Sequence, residues 1–194
     1  DPAAARASNL DATRHLLAAL REYLSRLIYL STNAVYDGQH APYREDSPRA
    51  PVNTYGRIKK ECEDLVIAAG QSTARLIFTL GWSPASARLN PLPWMVDILR
   101  AGRPLNLVHD VRENLLLAFF AAEALWHLAI TGFRGTLNIA GSEVVTRAEL
   151  GVRVARAFGL DETLVRPVPS SFFPAIAPRP ADTSYDTTKL RGLG

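Results

Sequence analysis

The sequence predicts an α/β fold with parallel strand pairing, and three observations carry that expectation. Short apolar runs rich in strand-forming residues recur at 27–30, 74–80 and 135–140. The segments between them place apolar residues at helical spacing. Strands separated by helix-length segments return to the sheet by crossovers, and crossovers join parallel strands.

Taken in order, Ser8 to Leu24 carries Leu10, Leu16, Leu17 and Leu20 on one helical face. Leu27-Ile28-Tyr29-Leu30 reads as a buried strand, with Ser31-Thr32 at its C-terminal end. The stretch 37–51 holds Gly38, Pro42, Pro48 and Pro51 and reads as a loop. A helix follows over 53–69, stopped by Gly70, then a strand over 74–80 and a turn-rich stretch over 81–93. A short helix spans 94–101, with Arg100 in its last turn and Gly102 ending it. A short strand is expected at 104–108, a helix over 114–130 and a strand over 135–140. Thr146-Arg147-Ala148-Glu149 reads as a capping box, which starts a helix running to Phe158 and stopped by Gly159. Residues 165–169 read as extended, and the Pro-rich tail from Ser170 is expected to cross the surface.

Composition excludes several classes. The 194 residues are 47% hydrophobic and 21% charged, with a net charge of +3, as in an ordinary globular chain. No basic run interleaves with aromatics, so a nucleic-acid surface is not expected. Cys62 is the single cysteine. No intrachain disulfide can form, and an inert buried thiol in a reducing, cytoplasmic setting is expected. The most apolar stretch, Leu115 to Ile130, is broken by Glu123 and His127. It falls short of the ~20 residues that span a bilayer, so a buried helix is expected and no membrane segment. His15, His40, His109 and His127 show no metal-ligand spacing with Cys or carboxylates, so no metal is expected. No Gly-x-Ser-x-Gly elbow of a hydrolase occurs.

One constellation carries chemistry. Tyr55 and Lys59 stand four apart on the helix 53–69 and share its face. A phenol ordinarily titrates near ~10, and a neighbouring ammonium favours its phenolate form. Such a pair can exchange a proton with an alcohol or carbonyl oxygen. Thr32 ends a strand, where ligands of open parallel sheets bind, and its hydroxyl can bond the same oxygen. Roughly 0.1 such Tyr-Lys pairs are expected by chance in this composition.

The surrounding block decides the reading. Ser31-Thr32-Asn33-Ala34-Val35-Tyr36-Asp37-Gly38, then Pro42-Tyr43-Arg44-Glu45-Asp46, Pro51-Val52-Asn53-Thr54-Tyr55-Gly56, Lys59 and Glu61 resemble the extended short-chain dehydrogenases/reductases. Within that superfamily of NAD-dependent epimerases and dehydratases, the block resembles the dTDP-4-dehydrorhamnose reductase branch most. Asn9 to Thr13, Arg75 to Gly81, Gly135 to Gly141, Ala177-Pro178-Arg179-Pro180 and Ser184-Tyr185-Asp186 agree in order, so the resemblance covers nearly the whole chain.

The resemblance implies a Rossmann-like doubly wound parallel sheet, incomplete at the N-terminus, with a small C-terminal substrate-binding lobe. Residues 1–82 would belong to the dinucleotide-binding domain, and 83–194 to the lobe plus returning sheet elements. No Gly-x-x-Gly-x-x-Gly or Gly-x-Gly-x-x-Gly occurs. By the resemblance, the first strands and the glycine turn lie upstream or on another chain. The resemblance further implies an NAD(P)-dependent oxidoreductase that reduces a 4-keto-6-deoxy sugar nucleotide, with NAD or NADP as cofactor. A sugar-nucleotide epimerase is an alternative. So is a non-catalytic regulatory protein on the same scaffold, because a regulatory subunit of methionine adenosyltransferase resembles the same branch.

The residue roles it implies follow the motif. Tyr55 would donate the proton. Lys59 would lower the Tyr55 pKa and hold the nicotinamide ribose. Thr32 would orient the carbonyl, and Ser31 would lie beside the cofactor. Asn9, Asn33, Phe78 and Arg179 would face the substrate, with Arg179 near its diphosphate. A homodimer through the helices after Asn9 and Asn53 would be usual. Two stretches depart from the pattern. Thr32-Asn33-Ala34 stands where the branch has Thr-Asp-Tyr, and the Leu-rich stretch after Arg112 replaces a polar, Pro-containing one.

Overall fold

A computed structural model describes residues 1–23, 25–82, 90–174 and 177–193. Its first helical stretch begins earlier than the apolar spacing suggests. The Asp1 carboxylate caps it by accepting from the Ala3 N–H at 2.8 Å. Helix α1 (Pro2–Arg6) passes through a π-helical turn (Ala7–Asp11) into α2 (Ala12–Leu20).

Strands β1 (Ile28–Thr32), β2 (Ser72–Leu76) and β7 (Thr136–Ile139) form a parallel sheet in the order β1-β2-β7. Leu30 lies opposite Ala74, and Ala74 opposite Leu137. The crossovers are α3 (Thr54–Ala68) and α5 (Ala118–Thr131). Successive strand residues point to opposite faces. Tyr29 accordingly packs with Leu10, Ile58 and Cys62, on the side of α3. Ile28 packs with Ala74, Leu137, Ala121 and Leu128, on the side of α5. Helices thus cover both faces, as a parallel sheet requires. Cys62 is fully buried, and Gly70 ends the α3 turn at a φ of +68°.

A second core lies beside the sheet. Helices α4 (Pro91–Arg100) and α6 (Arg147–Ala157) enclose Met95, Val96, Leu99 and Val154 against the parallel pair β4 (Leu105–Val108) and β9 (Val165–Val168). The expected capping box forms: Thr146 Oγ1 accepts from the Glu149 N–H at 3.1 Å, and Glu149 accepts from the Thr146 N–H at 2.7 Å.

Four expectations are corrected. The strand expected over 74–80 is two strands, β2 and β3 (Thr79–Leu80). The Thr79 hydroxyl bonds the Ile77 carbonyl at 2.8 Å where the chain bends between them. The helix expected from Asn114 begins only at Ala118. Before it come β5 (Arg112–Asn114), antiparallel to β8 (Val144–Thr146), and β6 (Leu116–Leu117), paired with β3. Asn114 explains the extension: its amide donates to the Gly141 carbonyl at 2.8 Å and accepts from the Tyr185 N–H at 2.7 Å. Helix α5, expected to be buried, packs by one face alone. Phe119, Phe120, Trp126 and Ile130 are exposed. The C-terminal tail does not stay on the surface. Thr183, Ser184, Tyr185 and Thr187 are buried, and the Tyr43 N–H donates to the Ser184 carbonyl at 2.8 Å. No helix among the described residues is long and apolar enough to cross a membrane.

Candidate active site

The C-terminal end of β1 and the first turn of α3 meet. Thr32 caps a short 3-10 turn (Asn33–Val35), its hydroxyl oxygen accepting from the Ala34 N–H at 3.2 Å. Asn53 caps α3 by accepting from the Gly56 N–H at 2.8 Å. Its amide also donates to the Pro178 carbonyl at 3.0 Å, tying the helix start to the segment that carries Arg179. Gly56 makes the approach possible. A Cβ there would lie 2.1 Å from the Ala34 carbonyl oxygen.

This packing puts the Tyr55 phenol beside the Thr32 hydroxyl. Partial burial raises the phenol's pKa, and the neighbouring Thr32 hydroxyl opposes the rise. The side chain is 51% exposed. Lys59 lies one turn further along α3 and is 8% exposed. Its ammonium donates to the Leu30 carbonyl at 2.6 Å and sits 4.1 Å from the centre of the Tyr29 ring. Burial lowers its pKa. Burial therefore leaves the phenol above its ordinary value rather than below it, while the Lys59 ammonium is engaged by Leu30 and Tyr29. Ser31 is buried, and its hydroxyl has no partner among the described residues. An orphaned hydroxyl and an ammonium at one strand end are donors suited to the ribose and nicotinamide end of a dinucleotide, so these residues fit that part of NAD or NADP.

A cavity of about 590 Å³ opens beside the strand end, lined by Asn33, Asn53, Glu113, Arg147, Phe173 and Arg179 among others. A second, of about 350 Å³, is lined by Tyr55 and Thr54 and shares Asn53, Pro174 and Arg179 with the first. The larger cavity holds a polar network that sequence spacing does not announce. Glu113 on β5 pairs with Arg147 at the start of α6. Burial raises the Glu113 pKa, against the pull of Arg147 and Asn33. Arg147 is pushed down to about 10, by burial first, with Glu113 opposing and the nearby Arg179 adding to the fall.

The structure thus brings Thr32, Asn33, Tyr55 and Arg179 together, with Ser31 and Lys59 behind them. It sets two expected substrate contacts apart. The Phe78 ring lies under the Arg147 guanidinium and does not line the cavity. It is a platform for Arg147. Asn9 lies on the π-helical turn, its amide donating to the Ala5 carbonyl at 3.0 Å and to Ser8 Oγ at 3.2 Å. It lines neither cavity. Glu113 and Arg147 were the residues that sequence reading missed. The one available signal was the capping box, which places Arg147 at the first position of α6.

Comparison with known proteins identifies the family of the chain. The family described as the RmlD substrate binding domain matches residues 1–194. The chain belongs to that family. A dTDP-4-dehydrorhamnose reductase from Mycobacterium tuberculosis is 33% identical over 97% of the chain and 63% of its own length. Methionine adenosyltransferase 2 subunit beta from Pongo abelii is 28% identical over all of the chain and 60% of its own length. The chain thus spans less than two thirds of either relative. The solved structure of a dTDP-4-dehydrorhamnose reductase from Bacillus anthracis, in complex with NADP, matches with a TM-score of 0.85 at 21% identity. It covers 94% of this chain and 64% of that one. The fold is therefore Rossmann-like.

Proposed function

We propose that this chain carries the catalytic and substrate-binding residues of an NAD(P)-dependent reductase acting on a nucleotide-activated 4-keto-6-deoxy sugar. The observation that carries the reading is the Tyr55 phenol beside the Thr32 hydroxyl, next to cavities lined by Arg147 and Arg179.

Tyr55 donates its proton to the substrate's carbonyl oxygen, which becomes the alcohol, and regains a proton from solvent at its exposed edge. Thr32 turns its hydroxyl hydrogen from Asn33 to that same oxygen and so orients the carbonyl. Ser31 and Lys59 would hold the nicotinamide ribose at the end of β1. Arg179 binds the diphosphate, for which a guanidinium fork is suited, while the cavity walls take up the sugar and base. NAD(P)H, when bound, would supply the hydride for the carbonyl carbon. The family name and the reductase relatives support this reading, as does the NADP in the solved structure of a fold relative. A cytoplasmic setting is consistent with the single buried thiol.

The likeness to methionine adenosyltransferase 2 subunit beta favours a second reading, a binding protein on the same scaffold. Incubation with a dTDP-4-keto-6-deoxy sugar and NADPH or NADH, followed by loss of nicotinamide absorbance, separates the two. Substrate-dependent oxidation supports the reductase. A folded protein that binds the sugar nucleotide without oxidising either cofactor supports the second reading.

A further inference from the structure

Asn33, after β1, and Glu113, on β5, meet in space. The Thr32 hydroxyl donates to Asn33 Oδ1 at 3.2 Å. The Asn33 amide nitrogen donates to Thr183 Oγ1 at 2.7 Å and to Glu113 Oε2 at 3.3 Å, across 80 residues of sequence. An amide meets all three contacts, with one acceptor for Thr32 and two donors for the others. A carboxylate at position 33 has no hydrogen to give and would face the carboxylate of Glu113.

Glu113 is fixed from its other sides. Arg147 pairs with it from α6, and the Phe78 backbone lies close by. The Arg179 charge acts on Arg147, and the Glu113 charge acts on Tyr185. At 8% exposure Glu113 has little water to screen a second negative charge.

We propose that Glu113 is a positioning residue that holds the Asn33 amide with its oxygen toward Thr32, and so requires a neutral side chain at position 33. The hydroxyl that faces Tyr55 is thereby oriented from β5. The Asn33–Glu113 pairing stands on geometry alone, and its effect on turnover rests on the reductase reading above.

Three variants test it: Asn33→Asp, Glu113→Gln and the double exchange, each melted across a pH series. In Asn33→Asp two carboxylates share one site, so one of them gains a raised pKa. Its proton is bound more tightly in the folded state than in the unfolded one. The melting deficit is therefore small in acid and grows as pH rises through that raised pKa. A deficit of about 5 °C or more is expected at neutral pH. Glu113→Gln leaves Arg147 without its partner and removes a group whose folded pKa is raised, so its own deficit shrinks rather than grows as pH rises. The double variant regains most of the deficit, because the amide introduced on β5 can donate to the carboxylate introduced after Thr32. If Asn33→Asp does not fold at neutral pH, a folded double variant is the same result. A deficit that ignores pH, or a double variant that sums the two singles, overturns the pairing.

Turnover is read on the same four proteins. Asn33→Asp is expected to lose about 10-fold or more in kcat with a smaller change in KM, and the exchange to restore it. Equal losses in kcat in the single and double variants overturn the positioning role. A wild-type protein without turnover contradicts the reductase reading, and melting still decides the pair.

Discussion

At the scale of single residues, the most demanding burial is an ion pair. Glu63 and Arg75 are 0% and 2% exposed, and Arg75 donates to both Glu63 oxygens at 2.8 to 3.2 Å. The guanidinium also donates to the Tyr36 hydroxyl at 2.6 Å and the Glu45 carbonyl at 3.0 Å, and Arg49 donates to Glu63 at 2.9 Å. The pair clamps α3 and the loop after β1 to the sheet. Removing one partner strands a buried charge, so Glu63→Gln is expected to cost about 3–5 kcal/mol in urea unfolding. A cost below about 1 kcal/mol would mean that the cluster is solvated and the clamp is not there. Thr32, Tyr55 and Lys59 were legible in the sequence, because two share a helix face and the third ends an apolar run. Glu113 and Arg147 were not. Their partnership crosses from β5 to α6, and no local spacing encodes it.

At the scale of elements, the position of α3 is the controlling variable, and Gly56 sets it. A methyl group there meets both the Ala34 carbonyl oxygen and Pro51 Cβ, at 2.1 and 2.8 Å. Gly56→Ala is expected to push α3 away from the end of β1, at a cost of about 1–3 kcal/mol. Because Tyr55 adjoins it, kcat should fall by more than the loss of folded protein explains. Wild-type kcat in a destabilised Gly56→Ala would show that the Tyr55 position tolerates the shift. Element boundaries were legible where local chemistry marks them, as at the Thr146 capping box and the Gly70 stop. They failed over 112–117. A short Leu-rich run has no period that separates strand from helix, and Asn114, whose contacts hold it extended, finds its partners at Gly141 and Tyr185. The tail misled for a related reason. Its prolines suggest a surface path, while the side chains of Thr183 to Tyr185 supply core and hydrogen bonds.

At the scale of the whole molecule, the α/β class was legible because alternating strand and helix patterns survive any error in their ends. The surface was less so. Trp126, Phe119, Ile130 and Phe120 are 69%, 68%, 63% and 55% exposed on α5. On β1, Leu30 is 46% exposed, and the strand pairs on one side only among the described residues. Open parallel edges and contiguous apolar patches associate. The 194-residue chain is expected to show a sedimentation mass that rises with concentration. Replacing Phe119 and Trp126 together by Gln should lower that mass, and an unchanged mass would place the contact elsewhere. The resulting account is of a scaffold that brings one phenol and one hydroxyl together beside two adjoining cavities, with Arg147 on the larger and Arg179 on both. Its central claim is that the Tyr55 hydroxyl supplies the proton for keto reduction, and the direct test is Tyr55→Phe beside the wild type, comparing NADPH oxidation with a dTDP-4-keto-6-deoxy sugar and thermal melting. The account predicts a loss in kcat of about 100-fold or more, with melting within about 2 °C, since the side chain is half exposed. Equal rates in the two proteins would contradict it.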